Sequence, residues 1–542
     1  VQLKRVTVTN YSRLADLDIE VRGHLVVVGA NDVGKTSLLR VLNLVLGTTA
    51  QLYQSLGPAD LRDREGTLVV ETLFGGFRDS ERTLFHREID IDAITGAESL
   101  RVRLEVTVDP EDADTVLITR WCPGRGEVRA LTREQVAAFG WRYLPAVRHS
   151  SAAHFDGASG AIQTLLRAVE PELGEEKATL GGLLESFNTR LESSDALTDL
   201  RKGMAQHLSA AMPRTIATDD LAIRTAADPL TSVLDNVSMY LVRDTAFVPL
   251  SEQSDGMREL VSMTLFDLAE GTANVIAIDE PELHLHPASQ RTVADLLSGA
   301  ANQKILVTHS PYIVHKFDPT QVVTVRPDGT CHQIDPTRTT VAERVQAHWW
   351  SARMLEALTA RHAILVEGVA DRIVVEAAAR ARGIHLDRIG AVVFELDGAE
   401  NFRTVYKLLG PNGFNVDVLG LVDDAEKGPW LGAVGGRPSD VFGHTVFVSQ
   451  SDLEDEYCRA LGPATVAERL ITARVARDER ALLSSCRASS IGDLPVEGLA
   501  AYCRTSKVPS ALAVTKGITK EEASTVASVD ALLSELVARV GA

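Results

Sequence analysis

Apolar and polar residues alternate over 2–8, 67–73 and 100–108, the period expected of half-buried strands. Between the first two, an apolar run at 24–28 enters a glycine loop, and 35–46 then carries apolar residues at helical spacing. From 150 to 245 the period changes. Helical spacing over 162–169, 180–191 and 230–242 predicts a helical insert. Short apolar strands return at 275–278 and 305–307, each followed by polar residues. Beyond a boundary near 340–360 the chain alternates strand (363–366), helix (371–382), strand (391–395), helix (401–409) and strand (416–422). That βαβαβ order predicts a second, parallel sheet, and 521–540 predicts a closing helix.

A chain of 542 residues exceeds what one core usually serves. The division expected is a first α/β domain over 1–345, with its helical insert at 150–245, and a second α/β domain over 346–542. No apolar run reaches the roughly 18 residues of a membrane span. The N-terminal stretch alternates like a strand and lacks the apolar core of a signal peptide. The expectation is a cytoplasmic protein with no membrane partner, which removes membrane transport from consideration. Five scattered cysteines without a CxxC pair argue against a disulfide framework or a structural zinc. The net charge of −19 disfavours an open, uniformly basic nucleic-acid surface. A local basic groove and metal-binding carboxylates remain compatible with it.

The loop after the first apolar strand runs Gly29, Ala30, Asn31, Asp32, Val33, Gly34, Lys35, Thr36, Ser37, which fits GxxxxGK[ST] between a strand and a helix. Backbone N–H groups of such a loop and helix start face phosphate oxygens. Lys35 supplies a point charge to the β- and γ-phosphates, and the Thr36 hydroxyl completes a Mg²⁺ shell. Asn31, Gly34 and Ser37 are the other candidate ATP contacts. The strand at 275–278 delivers Asp279 to the metal edge, and Glu280 can polarise an attacking water. His284 and His286, two apart, are read as packing or surface residues. His309, after the strand at 305–307, is placed to sense the γ-phosphate.

In this order the motifs resemble the ABC ATPase head shared by SMC-type proteins. The resemblance implies that 251–258, containing Ser254 and Gly256, is the signature loop. Such a loop caps the ATP of a partner subunit, so a homodimer or higher homo-oligomer is expected. Asp255 stands where glycine is usual, and no Q-loop glutamine stands out, with Gln51 and Gln54 as weak candidates.

The second domain carries a different chemistry. Glu367 ends an apolar strand, and Asp371 follows at the start of the next helix. Asp423, Asp424 and Glu426 end the strand at 416–422, and another apolar strand ends in Asp452, Glu454, Asp455 and Glu456. Parallel α/β sheets build their sites at the C-terminal edges of the strands. Three acidic strand ends therefore predict an oxygen-rich site for Mg²⁺ or Mn²⁺ rather than zinc. Two such ions about 4 Å apart can clamp the attacking and leaving oxygens of a phosphodiester.

This order resembles the Toprim domain. An ATPase head joined to a Toprim domain resembles the overcoming-lysogenisation-defect (OLD) nucleases, a family that includes the nuclease of the Gabija antiphage system. The resemblance implies metal ligation by Glu367, Asp371, Asp423, Asp452 and Glu454, with Glu367 and Asp423 catalytic. It also implies a phosphate-contacting or charge-stabilising role for Lys507. The DxD usual in Toprim domains is replaced by Asp423, Asp424, Ala425, so the further ligand is Asp424 or Glu426, or is missing. The function expected is an ATP-hydrolysing, metal-dependent DNA endonuclease acting on phage or plasmid DNA, in antiphage defence or DNA processing, with a helicase partner possible. The alternatives are an ATP-dependent DNA clamp with an impaired Toprim domain and an ATP-regulated RNA nuclease.

Overall fold

The computed structural model describes residues 1–124, 129–146, 166, 170–211, 217–221, 225, 233–234, 237, 240–243, 246–249, 252–253, 256–257, 274–299, 302–338, 340 and 352–541. They form two compact units, Val1–Ala138 with Lys304–Ala542, and Phe139–Gln303.

The first unit opens with β1 (Gln2–Thr9), β2 (Leu17–Glu20) and β3 (Leu25–Gly29). After helix Lys35–Leu46 come β4 (Leu68–Gly75), β5 (Asp90–Ile91), β6 (Glu98–Val108), β7 (Val116–Cys122) and β8 (Arg129–Ala130). An antiparallel sheet runs β2-β1-β4-β6-β7-β8, with β5 on β6. Alternation in β6 buries Leu100, Val102, Leu104 and Val106 on one face. β3 is buried at every position, as a strand covered on both faces must be.

In the second unit β9 (Trp141–Leu144) lies beside a later parallel strand. The insert holds helices Glu175–Glu192 and Asp195–Ala211, in accord with helical spacing there. The stretch 162–169 falls almost wholly outside the described residues. The helical reading of 230–242 needs correction, because its end forms a hairpin of β10 (Tyr240–Arg243) and β11 (Ala246–Pro249). Tyr240, Val242, Phe247 and Val248 suit a pleated ribbon, and Tyr240 packs edge-on to Phe247 at 6.4 Å. β12 (Val275–Asp279) pairs in parallel with β9 and is buried throughout.

The chain returns to the first unit through β13 (Gln303–Val307), β14 (Val322–Val325) and β15 (Cys331–Gln333). β13 and β14 flank β3 in parallel, and β15 pairs antiparallel with β14. The end of β3 thus opens between two parallel neighbours.

The C-terminal sheet has β16 (His362–Val366), β17 (Ala391–Glu395), β18 (Asp417–Asp423) and β19 (Val446–Ser449), all parallel in the order β17-β16-β18-β19. From β16 the chain moves to β17 on one side, and then to β18 on the other. That reversal opens a crevice at the C-terminal ends of β16 and β18. Helix Val369–Ala381 packs into a core that includes Ile364, Val375, Leu419, Tyr457 and Leu533. The single closing helix expected over 521–540 is two helices, Lys520–Ala523 and Ala527–Gly541. The Ser528 amide, in the first turn of the second of these, donates to Glu456 at 2.7 Å. Near the chain end, Arg539 reaches the Asp417 carboxylate and donates to the His444 carbonyl at 2.5 Å, and Asp417 also holds His362 at 2.7 Å. Among the described residues no helix is long and apolar enough to cross a membrane.

Candidate functional site

The loop after β3 is shaped by close backbone approach. A Cβ on Gly29 would lie 2.5 Å from the Val325 carbonyl oxygen, and one on Gly34 would lie 2.6 Å from that of Arg13. Gly34 also takes φ 99° as the N-cap of helix Lys35–Leu46, a conformation L side chains rarely adopt. Lys35 opens that helix almost wholly buried, and its Nζ donates to the Ala30 carbonyl at 2.5 Å. The ammonium is thus folded back over the loop it would leave to meet a phosphate. Asn31 and Thr36 are exposed and Ser37 is half-buried at the mouth. The Thr308 amide donates to the Val27 carbonyl at 3.2 Å, which brings His309 to the same strand edge as Gly29. Gln51 and Gln54 lie in helix Thr49–Ser55, with side chains outside the described set.

Asp279, Glu280 and Gly256, the other candidate nucleotide-site residues, fall in the second unit. Asp279 is buried at the end of β12, and Glu280 follows with φ 50°, a constrained turn that re-aims its side chain from the strand. Gly256 packs where a Cβ would lie 2.7 Å from the His284 carbonyl oxygen, so no larger residue fits. Ser254 lies outside the described residues.

At the crevice of the C-terminal sheet, β16 delivers Glu367 and β18 delivers Asp423. The Asp423 amide donates to Glu367 Oε1 at 3.0 Å, and Asp423 Oδ1 accepts from the Leu453 amide at 3.2 Å. Asp371 accepts from the Gly368 amide at 2.8 Å, capping helix Val369–Ala381 from inside its first turn. Asp452 caps helix Leu453–Leu461 through the Asp455 amide (2.8 Å) and takes Arg504 Nε at 2.5 Å. Glu454 is 2% exposed and lies 3.7 Å from Lys507 Nζ.

These groups act on one another. Burial, then Glu367, Asp371, Asp452 and Glu454, push the Asp423 carboxyl up to about 8. Asp371 is pushed up to about 7 by burial, against the Gly368 amide and with help from Glu454 and Glu367. Burial also raises Glu367 and Glu454, and Lys507 opposes the rise in both. Burial alone would lower Lys507, but Glu454, Asp371, Asp423 and Glu367 together raise it. One ammonium therefore serves four carboxyl groups, Glu454 buried and Glu367, Asp371 and Asp423 half-buried, a charge deficit that a hard cation would offset. Among the described residues no three acidic, histidine or cysteine side chains are gathered tightly enough to hold an ion as they stand. The carboxylates face one another without a preassembled shell, and the donor set, all oxygen, suits Mg²⁺ or Mn²⁺.

The remaining acids divide. Asp424 is half-exposed on Lys427 at 2.6 Å, whereas exposed Glu426 acts on Glu367. Asp455 pairs with Arg459 at 2.7 Å, and Glu456 is engaged by the Ser528 and Gln450 amides. Two further charged residues received no role from sequence. Arg504 fixes Asp452, and its signal was an arginine three residues before Lys507. Glu395, buried at the end of β17, pairs with Arg372 at 2.8 Å and with Arg353. Its signal was an acid ending an apolar strand, the same as for Glu367.

A glycine loop feeding a helix and an acidic crevice on a parallel sheet define a P-loop ATPase joined to a Toprim-type domain. The family model "AAA domain, putative AbiEii toxin, Type IV TA system" matches residues 25–315, and "Overcoming lysogenization defect protein-like, TOPRIM domain" matches 358–424. The chain belongs to this AAA-domain family and joins its ATPase domain to an OLD-like Toprim domain. It is 19% identical over 553 residues to Endonuclease GajA of Bacillus cereus (strain VD045), covering 85% of this chain and 90% of that protein. It is 25% identical over 408 residues to the OLD nuclease of Thermus scotoductus (strain ATCC 700910 / SA-01), covering 68% and 72%. The solved C-terminal region of the Burkholderia pseudomallei OLD protein is 26% identical, with TM-score 0.28, over 33% of this chain and 98% of that one.

Proposed function

We propose that the chain is an ATP-regulated, metal-dependent DNA endonuclease, with an ATPase domain over 1–345 and a nuclease domain over 346–542. The observation that carries this reading is the convergence of Glu367, Asp371, Asp423 and Glu454, with Lys507, at the crevice between β16 and β18. These carboxylates would hold Mg²⁺ or Mn²⁺, which supplies an activated water and charge neutralisation at the leaving oxygen. Lys507, poised beside Glu454, would turn to a phosphate oxygen of the scissile strand. Asp452, held by Arg504, keeps the helix carrying Glu454 in place and is the outermost candidate ligand. The names of the relatives, an endonuclease and a nuclease, point the same way.

At the other site Lys35, Thr36, Asn31, Gly34 and Ser37 would bind the phosphates, Asp279 the Mg²⁺ and Glu280 the attacking water, with His309 as sensor. The signature role of Ser254 and Gly256 makes ATP the cross-link of a homodimer. Antiphage defence, a helicase partner and a cytoplasmic setting complete the reading.

The test is nicking of supercoiled plasmid with Mg²⁺ or Mn²⁺, with and without ATP, beside an RNA substrate of matched length. Cleavage of DNA by wild type, lost in Glu367→Ala and kept in Lys35→Ala without nucleotide, supports the proposal. DNA left intact under every metal and nucleotide condition overturns it. One observation favours the clamp reading: Asp424 is exposed and paired with Lys427 at 2.6 Å. ATP-dependent retention of circular DNA without nicking would establish that reading instead.

A further inference from the structure

Arg326 stands immediately after β14 and belongs to neither site. It is 7% exposed, yet its named hydrogen-bond partners are carbonyls rather than carboxylates. Nη1 donates to Leu358 at 3.2 Å and Ala360 at 2.9 Å, and Nη2 donates to Phe414 at 2.8 Å. The Thr324 hydroxyl reaches the same Phe414 carbonyl at 3.3 Å. Leu358 and Ala360 lead into β16, which ends at Glu367. Phe414 leads into β18, which ends at Asp423. The guanidinium therefore grips the roots of both strands that carry the crevice.

The other side of β14 faces the P-loop. Val325 pairs with Gly29 in parallel register, and the space for a Gly29 Cβ is filled by the Val325 carbonyl. A movement of the P-loop backbone at Gly29 thus bears on Val325 with no side chain between, and Arg326 is the next residue.

Stability alone is a poor reason for a guanidinium here. Burial pushes its pKa down to about 10. Neutral carbonyls take the Nη groups without cancelling the charge, Nε is buried without a hydrogen-bond partner, and an apolar side chain of similar volume often packs at such positions at no loss. What it supplies is geometry: a planar fork that fixes three carbonyls from two segments relative to one strand end.

We propose that Arg326 is a positioning residue that couples the nucleotide loop to the nuclease strands, so that occupancy of the loop changes the setting of Glu367 and Asp423. This rests on the reading of Lys35 and of the acidic crevice given above. Coupling of this kind is reciprocal, and its physical warrant is an element whose state both sites bias.

The test is hydrogen–deuterium exchange on the full chain, with and without the non-hydrolysable analogue adenylyl imidodiphosphate, at constant Mg²⁺. In wild type the analogue changes exchange at 25–40, 358–367 and 414–423. Arg326→Met keeps the change at 25–40 and loses it at 358–367 and 414–423. Arg326→Lys, which keeps the cation but not the fork, retains part of it and serves if the methionine variant does not fold. Arg326→Met carrying the full change to both nuclease segments, or wild type changing at 25–40 alone, overturns the proposal. No change at 25–40 in wild type removes the nucleotide reading and this proposal with it. None of these readouts needs cleavage, so failure of the nuclease reading is seen separately, in the plasmid assay.

Discussion

Gly420 lies inside β18, three residues before Asp423, and is wedged against two stacked rings. A Cβ there would meet Trp430 Cζ3 at 2.7 Å, Trp430 Cε3 at 3.1 Å and Phe402 Cε2 at 3.2 Å. The indole cannot easily withdraw, because its Nε1 donates to the Ala399 carbonyl at 2.9 Å and its ring stacks on Phe402 at 3.8 Å and 7°. β18 is equally fixed, with β16 on one side and β19 on the other. Gly420→Ala therefore overpacks a closed site, at a cost of about 1–3 kcal/mol. For a domain of this size that lowers Tm by about 2–12 °C. If β18 yields instead of the indole, Asp423 shifts with it, and a displacement of ~1 Å can cost ~100-fold in rate. Differential scanning fluorimetry and metal-dependent plasmid nicking read the two effects. In a double-mutant cycle, Trp430→Leu should absorb at least half of the Gly420→Ala penalty, since it removes the obstructing ring. A Gly420→Ala protein that melts within a degree of wild type and nicks at full rate would refute the reasoning. Strictly additive penalties would show that the indole is not the obstacle.

Asp423→Ala should abolish metal-dependent nicking while ATP hydrolysis stays within about twofold of wild type, as measured by phosphate release, because the substitution leaves Lys35, Thr36, Asp279 and Glu280 in place and coupling changes a second site far less than loss of its own groups. Glu280→Gln should bind ATP but hydrolyse it at least ~100-fold more slowly, in line with loss of a general base, and should accumulate dimer in light scattering. Turnover at the wild-type rate would remove Glu280 from that role. Burial pushes the Asp417 carboxyl up, but the hydrogen bond from His362 and the Arg539 guanidinium outweigh it, and it lies below the ordinary range. A depressed carboxyl stabilises the fold above its unfolded pKa, and that contribution is lost as pH falls through the folded value. Wild type should therefore melt above Asp417→Asn at pH 7, and the gap should close as pH falls below about 4. A gap that widens in acid would contradict this account.

Much of this architecture was legible because local and tertiary demands agreed. Helix Lys35–Leu46 begins and ends where its pattern does, since Gly34 in the left-handed region and Gly47 bound it. The strands ending at Glu367, Asp279 and Asp423 were legible as short apolar runs closed by acids. The hairpin at 240–249 was not, because four-residue strands offer too little pattern to oppose an apolar spacing that also suits a helix. Nor could spacing divide the acids after β19. Asp455 turns to Arg459 one turn along its own helix, while Glu454 meets Lys507 and Glu456 the Ser528 amide, a choice set by helices more than fifty residues later. Arg326 was invisible for the same reason: its partners are carbonyls, which carry no side-chain signature.

The grip of Arg539 on Asp417 and His444 has a consequence for how the molecule is made. The strand that bears Asp423 is clasped at its root by the final helix, and the Ser528 amide that holds Glu456 belongs to that helix too. On the ribosome neither clasp can close until 528–539 have emerged, well after β13 and β14, the strands that flank the P-loop strand. The P-loop strand can thus gain both of its neighbours before the acidic crevice is clasped, so a chain still emerging holds the glycine loop in its sheet while the root of β18 is unsecured.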